Sequence, residues 1–206
     1  IFAAIASGFL ALALTIELKR EFLSVAIAFE VFALAYINTK TNIKSLRYIT
    51  GTVAAVFGIL LIPQILLLLQ LTVYSLVEQQ LYLQEGIPIV NWPLFQLGLP
   101  AIMFAAASKL LNSQKDGKLV EVLEISAIAL VGVMGYYLTR HTFHVNENIL
   151  FIKAGFIERG VITNILFVYG LSCLYFGKYF SRTAIFKSGI VLCAVSLFRI
   201  IYFDLP

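Results

Sequence analysis

The sequence predicts an all-α protein, a polytopic transmembrane helix bundle of about seven helices. Of the 206 residues, 61% are hydrophobic and only 13% are charged, whereas soluble domains have about 45–50% apolar and about 25% charged residues. The apolar residues form runs of the length that a bilayer-spanning helix needs, which is about 20 residues. These runs are rich in Leu, Ala and Phe and lack the alternation of a membrane β-barrel strand. The composition excludes a soluble domain, a disordered chain and a nucleic-acid-binding module, and it makes the lipid bilayer the expected partner.

The first three predicted helices are 1–16, 22–37 and 46–77. A polar turn over residues 38–42 separates the second helix from the third. The third is longer than a bilayer requires at about 1.5 Å per residue, so we expect it to tilt or bend at Pro63. Because the chain begins with Ile1 and no signal-peptide pattern precedes the first apolar run, we expect a fragment of a longer membrane protein, with the remaining helices as partners.

The last four predicted helices are 93–111, 119–138, 156–180 and 183–202. Trp92 and Pro93 suit a helix start at the membrane interface, and Pro100 is expected to bend the fourth helix. The polar segment 112–118 is the clearest loop in the chain. Because no stretch has the composition of a domain linker, residues 1–206 are predicted to form a single transmembrane domain.

The basic residues are unevenly divided between the loops, and cytoplasmic loops of membrane proteins are enriched in Lys and Arg. Nine lie in the second-to-third, fourth-to-fifth and sixth-to-seventh connections: Lys40, Lys44, Arg47, Lys109, Lys115, Lys118, Lys178, Arg182 and Lys187. The other side has five: Lys19, Arg20, Arg140, Lys153 and Arg159. We therefore predict that the three Lys-rich loops are cytoplasmic and that the C-terminal end lies outside.

This topology gathers a group of charged and titratable residues near the outer membrane face. The group consists of Arg140, His141, His144, Glu158, Arg159, Arg199 and Asp204. One interpretation is an ion-pair network of the two acids with Arg140 and Arg199, or side chains that reach the headgroup layer. The other is a pocket in which the two arginines hold an anionic lipid headgroup or a lipid-linked phosphate and the histidines move protons. The residue types alone favour the structural interpretation.

Glu30 is a separate case, because it lies near the middle of the second predicted helix between Phe29 and Phe32. A carboxylate at this depth is expected to be protonated or partnered. It is either a proton or cation site or a buried hydrogen-bonding group, with Gln64 or Gln70 as candidate partners. The second interpretation is favoured.

A resemblance rests on several short segments in the same order. They are 24–36 (SVAIAFEVFALAY) followed by Leu46-Arg47, then Gly98-Leu99-Pro100 before the alanines 105–107, and later Arg140-His141, Phe143-His144, Glu158, Phe198-Arg199 and Phe203-Asp204. Over most of its length the chain resembles domain-of-unknown-function family 2339, a family of large bacterial multi-pass predicted membrane proteins. The resemblance implies a bacterial inner-membrane location and a longer chain with more helices, but no reaction.

Three functions remain open from the sequence. The first is a non-enzymatic envelope scaffold or transport-type component. The second is a membrane enzyme or lipid-handling protein that acts on an anionic lipid-linked or glycan substrate at the outer leaflet, and the third is a proton-coupled transporter that uses Glu30. The sequence has no phosphate-binding loop, dinucleotide-binding glycine pattern or nucleophile elbow, and His141 and His144 fall short of a zinc site. We therefore favour the first function, with no catalytic residue, no metal and no cofactor.

Overall fold

The described part of the chain is helical. The computed structural model describes residues 20–41, 43–76, 94–112, 117–143 and 155–204, and within these ranges it has no β-strand. Six of the described helices are long and apolar enough to cross a membrane. The all-α prediction is confirmed, and the helices suggest a membrane-embedded protein. The first predicted helix, 1–16, lies outside the described residues.

The helices begin and end close to the predicted positions. They are α1 Arg20–Thr41, α2 Lys44–Leu76, α3 Leu99–Asn112, α4 Gly117–Phe143, α5 Phe156–Tyr179 and α6 Thr183–Arg199. The end of α4 differs from its prediction, because the helix continues five residues beyond the predicted end at 138. This extension places Arg140 and His141 in the last turn of α4. A charged residue can lie inside an apolar helix where a partner of opposite charge is available. The charge of Arg140 therefore did not mark the end of α4.

Two helix ends are widened into a π-helical turn. Leu94–Gly98 forms such a turn directly before α3, and Ile200–Asp204 forms another after α6. Pro100 lies two residues after the first turn and has no N–H for the carbonyl group four residues earlier. A wider turn is one way in which a helix accommodates a missing hydrogen bond. The bend predicted at Pro100 stays a prediction, and the structure places a π-helical turn just before this residue.

The chain divides into two compact units, Ile1–Gln64 with Phe95–Leu130, and Ile65–Leu94 with Val131–Pro206. In the first unit, α1 packs on α3. The α1 side chains that face this core are small or branched, with Ala28, Val31 and Ala35 fully buried at helical spacing. Phe104 of α3 meets Phe57 of α2 edge to face, with 4.8 Å between ring centroids. The first unit therefore has its own apolar core.

In the second unit, α5 and α6 form an antiparallel hairpin. At the turn, Arg182 N–H donates to the Gly177 carbonyl over 2.7 Å, and Ser181 N–H donates to the Lys178 carbonyl over 3.2 Å. Ser181 has a φ of 54°, the left-handed conformation that usually follows the last helical residue in such a Schellman motif. The motif satisfies carbonyl groups at the end of α5 and reverses the chain within three residues.

Glycines allow the two helices of this hairpin to approach closely. A Cβ atom on Gly177 would lie 2.5 Å from the Phe186 backbone nitrogen. One on Gly170 would lie 2.8 Å from Cys193 Sγ, and one on Gly189 would lie 2.7 Å from the Leu174 backbone nitrogen. In lipid, close backbone packing of small residues replaces the hydrophobic effect as the main source of helix association. These contacts make α5 and α6 one tightly packed element.

Hydroxyl groups within the spans bond to their own helices. Thr50, Thr139 and Ser196 are buried, and each donates to the carbonyl group four residues earlier over 2.8 Å. Because water is absent from the bilayer core, a polar group there must find its partner within the protein. The hydrogen bonding of these hydroxyl groups is satisfied within their own helices, so these residues do not indicate a ligand.

Candidate functional site

The structure brings Arg140 and Glu158 together in the second unit. Arg140 lies in the last turn of α4 and Glu158 in the first turn of α5. The Arg140 Nη1 atom donates to Glu158 Oε1 over 2.6 Å. This distance is at the short end for a hydrogen bond between opposite charges, which is the stronger class of hydrogen bond. The pair therefore connects α4 with α5 across the segment that separates them in the sequence.

Both members of this pair are removed from solvent and lipid. The Arg140 side chain is 1% exposed and the Glu158 side chain is 4% exposed. A snorkelling arginine would extend its guanidinium group to the headgroup layer, and this one does not. Taking two charges out of water costs several kcal/mol per ion, so such a pair persists only with good geometry and further hydrogen bonds. The burial makes this pair a structural connection between helices and leaves the guanidinium group closed to a ligand.

His141 is also buried, with 6% of its surface exposed. A general acid or base must come within hydrogen-bonding distance of the substrate atom that loses or gains the proton. The burial of His141 therefore does not favour a proton-transfer role with a substrate that approaches from the membrane surface. His144 lies outside the described residues.

Arg199 forms a hydrogen bond with Thr163, a residue that the sequence analysis did not name. Its Nε atom donates to Thr163 Oγ1 over 2.8 Å, which joins the end of α6 to α5. Thr163 is buried, whereas Arg199 is partly exposed. Asp204, the second acid of the predicted ion-pair network, belongs to the π-helical turn after α6. The side chain of Asp204 lies outside the part of the chain that the structure describes.

Arg159 lies on the same face of α5 as Thr163, because residues four apart are neighbours on a helix. Arg159 is partly exposed. The guanidinium groups of Arg159 and Arg199 therefore belong to the same end of the α5–α6 hairpin. We call this the open end, because the connecting turn around Ser181 is at the other end. Sequence reasoning missed Thr163, because a single hydroxyl group in an apolar run carries no signal of its own.

Glu30 belongs to the first unit, whereas the residues described above belong to the second. It lies on α1 and is 6% exposed. The side chains of Gln64 and Gln70, its candidate partners, lie outside the described residues. Glu124 of α4 is also 6% exposed. The described part of the first unit therefore buries two carboxyl side chains.

Among the described residues, no group of three His, Cys, Asp or Glu side chains is placed to hold a metal ion. Cys173 and Cys193 are free thiols on the two helices of the hairpin. Comparisons with protein-family models, curated proteins and solved structures found no match to this chain.

Proposed function

We propose that the protein is a non-enzymatic integral membrane component, an envelope scaffold or transport-type protein, in which Arg140 and Glu158 lock α4 to α5. The observation that carries this proposal is the closed pair, with 2.6 Å between Nη1 and Oε1 and both side chains almost fully buried. A substrate-binding arginine would need guanidinium nitrogens that face an open groove. The buried geometry supports a role in helix packing instead.

The cellular setting is part of the same proposal. The order of short segments that resembles family 2339 supports a bacterial inner-membrane protein with further helices. The excess of Lys and Arg in three loops supports a cytoplasmic position for the turn between α5 and α6. Ser181 is exposed in that turn, so it offers a place to test the orientation.

The orientation is tested with Ser181→Cys in a chain whose two native cysteines are replaced by serine. In intact bacterial cells, a membrane-impermeant maleimide should leave this thiol unlabelled, and it should label the thiol after the membrane is opened. Labelling in intact cells would reverse the proposed topology. The cysteine-free parent, treated in the same way, gives the background.

The structural role of the pair is tested by measuring how much correctly folded protein reaches the membrane. Arg140→Ala and Glu158→Ala should each reduce the amount of monodisperse protein extracted from membranes several-fold, because each leaves a buried charge without its opposite. Glu121→Ala is the matched control, since Glu121 is exposed near the start of α4. Wild-type amounts of both pair variants would overturn the proposal.

A further inference from the structure

We propose that Arg199, positioned by Thr163 and assisted by Arg159, binds the phosphate of an anionic phospholipid headgroup at the open end of the α5–α6 hairpin. The site is separate from the Arg140–Glu158 pair. If the test finds no lipid binding at Arg199, the proposed packing role of that pair is therefore unaffected.

The first support is the way in which the Arg199 side chain is held. Its Nε atom donates to Thr163 Oγ1 over 2.8 Å, so one edge of the guanidinium plane is fixed against α5. Within the described part of the chain, the structure shows no further hydrogen bond or ion pair for Arg199. Its two terminal nitrogens are the atoms that form paired hydrogen bonds with phosphate oxygens. A fixed and partly exposed guanidinium group is preorganised for such a ligand.

The second support is the depth of the site. The span that contains α6 ends at Tyr202, three residues after Arg199, and α5 begins at Phe156, three residues before Arg159. At about 1.5 Å per residue, each arginine lies about 4–5 Å along the helix from the end of its span. That distance is within reach of the headgroup layer for a long side chain.

Aromatic side chains mark the same level. Phe198 and Tyr202 are 54% and 67% exposed, and their ring centroids are 4.4 Å apart. Aromatic residues concentrate where the hydrocarbon core meets the headgroups. The pair of rings therefore supports a position of Arg199 at the level of the lipid phosphates.

The third support is the balance of charge. The hairpin with its following turn, 156–204, is cationic, because it has five basic residues and two acids, Glu158 and Asp204. The neighbouring carboxylate of Glu158 is engaged with Arg140. With Glu158 paired to Arg140, Arg159 and Arg199 outnumber Asp204 by one positive charge at this end of the hairpin, and a lipid phosphate is the anion that is abundant at this depth.

The test is native mass spectrometry of the intact protein in detergent, titrated with phosphatidylglycerol and, separately, with phosphatidylcholine. The wild type should bind phosphatidylglycerol more tightly than phosphatidylcholine at one saturable site. Arg199→Gln should weaken that binding by about tenfold, since charged hydrogen bonds to phosphate are lost. Arg199→Lys should lie between the two, because an ammonium group keeps the charge without the planar fork.

Thr163 supplies a second variant that does not alter charge. Thr163→Val keeps the shape of the side chain but removes the acceptor for Arg199 Nε, so the affinity for phosphatidylglycerol should fall by a few-fold. Thr163→Ser keeps the hydroxyl group and should bind like the wild type. Size-exclusion profiles confirm that each variant is folded. Equal affinities of the valine and serine variants would refute the positioning role of Thr163.

The matched control for charge is Lys187→Gln, which removes one positive charge from the other end of α6. It should leave the tightest phosphatidylglycerol site unchanged. If it weakens binding as much as Arg199→Gln does, the attraction is general and the proposed site is wrong. Wild-type affinity in Arg199→Gln would overturn the site as well, and displacement of the lipid by equimolar inorganic phosphate would overturn the assignment to a lipid.

Discussion

Glu158→Gln is the change that tests the buried ion pair most directly. Gln keeps the shape of Glu and one oxygen that can accept a hydrogen bond, but it removes the negative charge opposite Arg140. The Arg140 side chain is 1% exposed, so its charge would remain buried after the charge of Glu158 is removed. We expect the free energy of unfolding to fall.

The size of the effect follows from the geometry. The two atoms are 2.6 Å apart, and the centres of the two charged groups are somewhat more widely separated. Charges separated by about 4 Å interact with about 4 kcal/mol at an effective dielectric constant of about 20. Removal of one partner from a buried pair costs about 3–5 kcal/mol in proteins, and the retained oxygen reduces this cost. We therefore expect a loss of about 3 kcal/mol for Glu158→Gln.

A double-mutant cycle separates the pair from the two single residues. Arg140→Met should cost less than Glu158→Gln, because a buried carboxyl group can become neutral by taking up a proton. The double variant lacks both charges of the pair, so its free energy of unfolding should lie within about 1 kcal/mol of the wild-type value. The cycle should then give a coupling energy of about 3 kcal/mol or more, above the average of about 0.6 kcal/mol for neutral hydrogen bonds in membrane helices.

The assay is reversible unfolding in mixed micelles with increasing dodecyl sulfate, followed by circular dichroism. Glu121→Gln makes the same chemical change on the exposed surface of α4 and should alter the unfolding free energy by less than about 0.5 kcal/mol. Additive effects of the two single variants would refute the pair as a stabilising unit. Equal losses for Glu121→Gln and Glu158→Gln would show that burial does not determine the cost.

Three further changes are measured in the same assay. Gly177→Ala should lower the free energy of unfolding by about 1–3 kcal/mol because its Cβ would lie 2.5 Å from the Phe186 backbone, whereas Gly58→Ala meets nothing within 4 Å and should not destabilise the protein. Ser181→Gly should raise the free energy of unfolding by about 0.5 kcal/mol, since φ is 54° and glycine adopts this conformation without strain. A lower free energy of unfolding would contradict the turn geometry. Phe104→Ala should cost about 3–5 kcal/mol because the ring is 1% exposed, but Ile102→Ala, at 59% exposure on the same helix, should cost less than about 1 kcal/mol.

The helical fold was predictable because a lipid bilayer allows few kinds of backbone structure. Long apolar runs must be helical to satisfy their backbone groups in lipid, and the described helices begin within a few residues of the predicted positions. The end of α4 was not predicted, because a break in hydropathy was taken as a break in the helix. Arg140 continues the helix since its charge meets Glu158 in space. Such a contact is not a property of the local sequence.

The sequence named Arg140, Glu158 and Arg199 as candidates but did not predict the individual contacts that they make. The residue types and the topology placed Arg140, Glu158 and Arg199 near one face. Which acid faces which arginine depends on the rotation of each helix about its axis, and short charged segments do not determine that rotation. Thr163 was overlooked for the same reason, because one hydroxyl group in an apolar run is common and becomes informative only when Arg199 is found against it.

The hairpin of α5 and α6 has a consequence for the order of assembly. Its contacts join residues that are near in sequence, from the turn at Ser181 to Gly170 beside Cys193. Local contacts have a low entropic cost and form early, so the two helices can enter the bilayer together as soon as both have been synthesised. Arg199 reaches Thr163 only when the pairing has extended along the hairpin from the turn. In a newly made chain, the contact that positions Arg199 at the cationic end of the hairpin would therefore form last, after both helices are already in lipid.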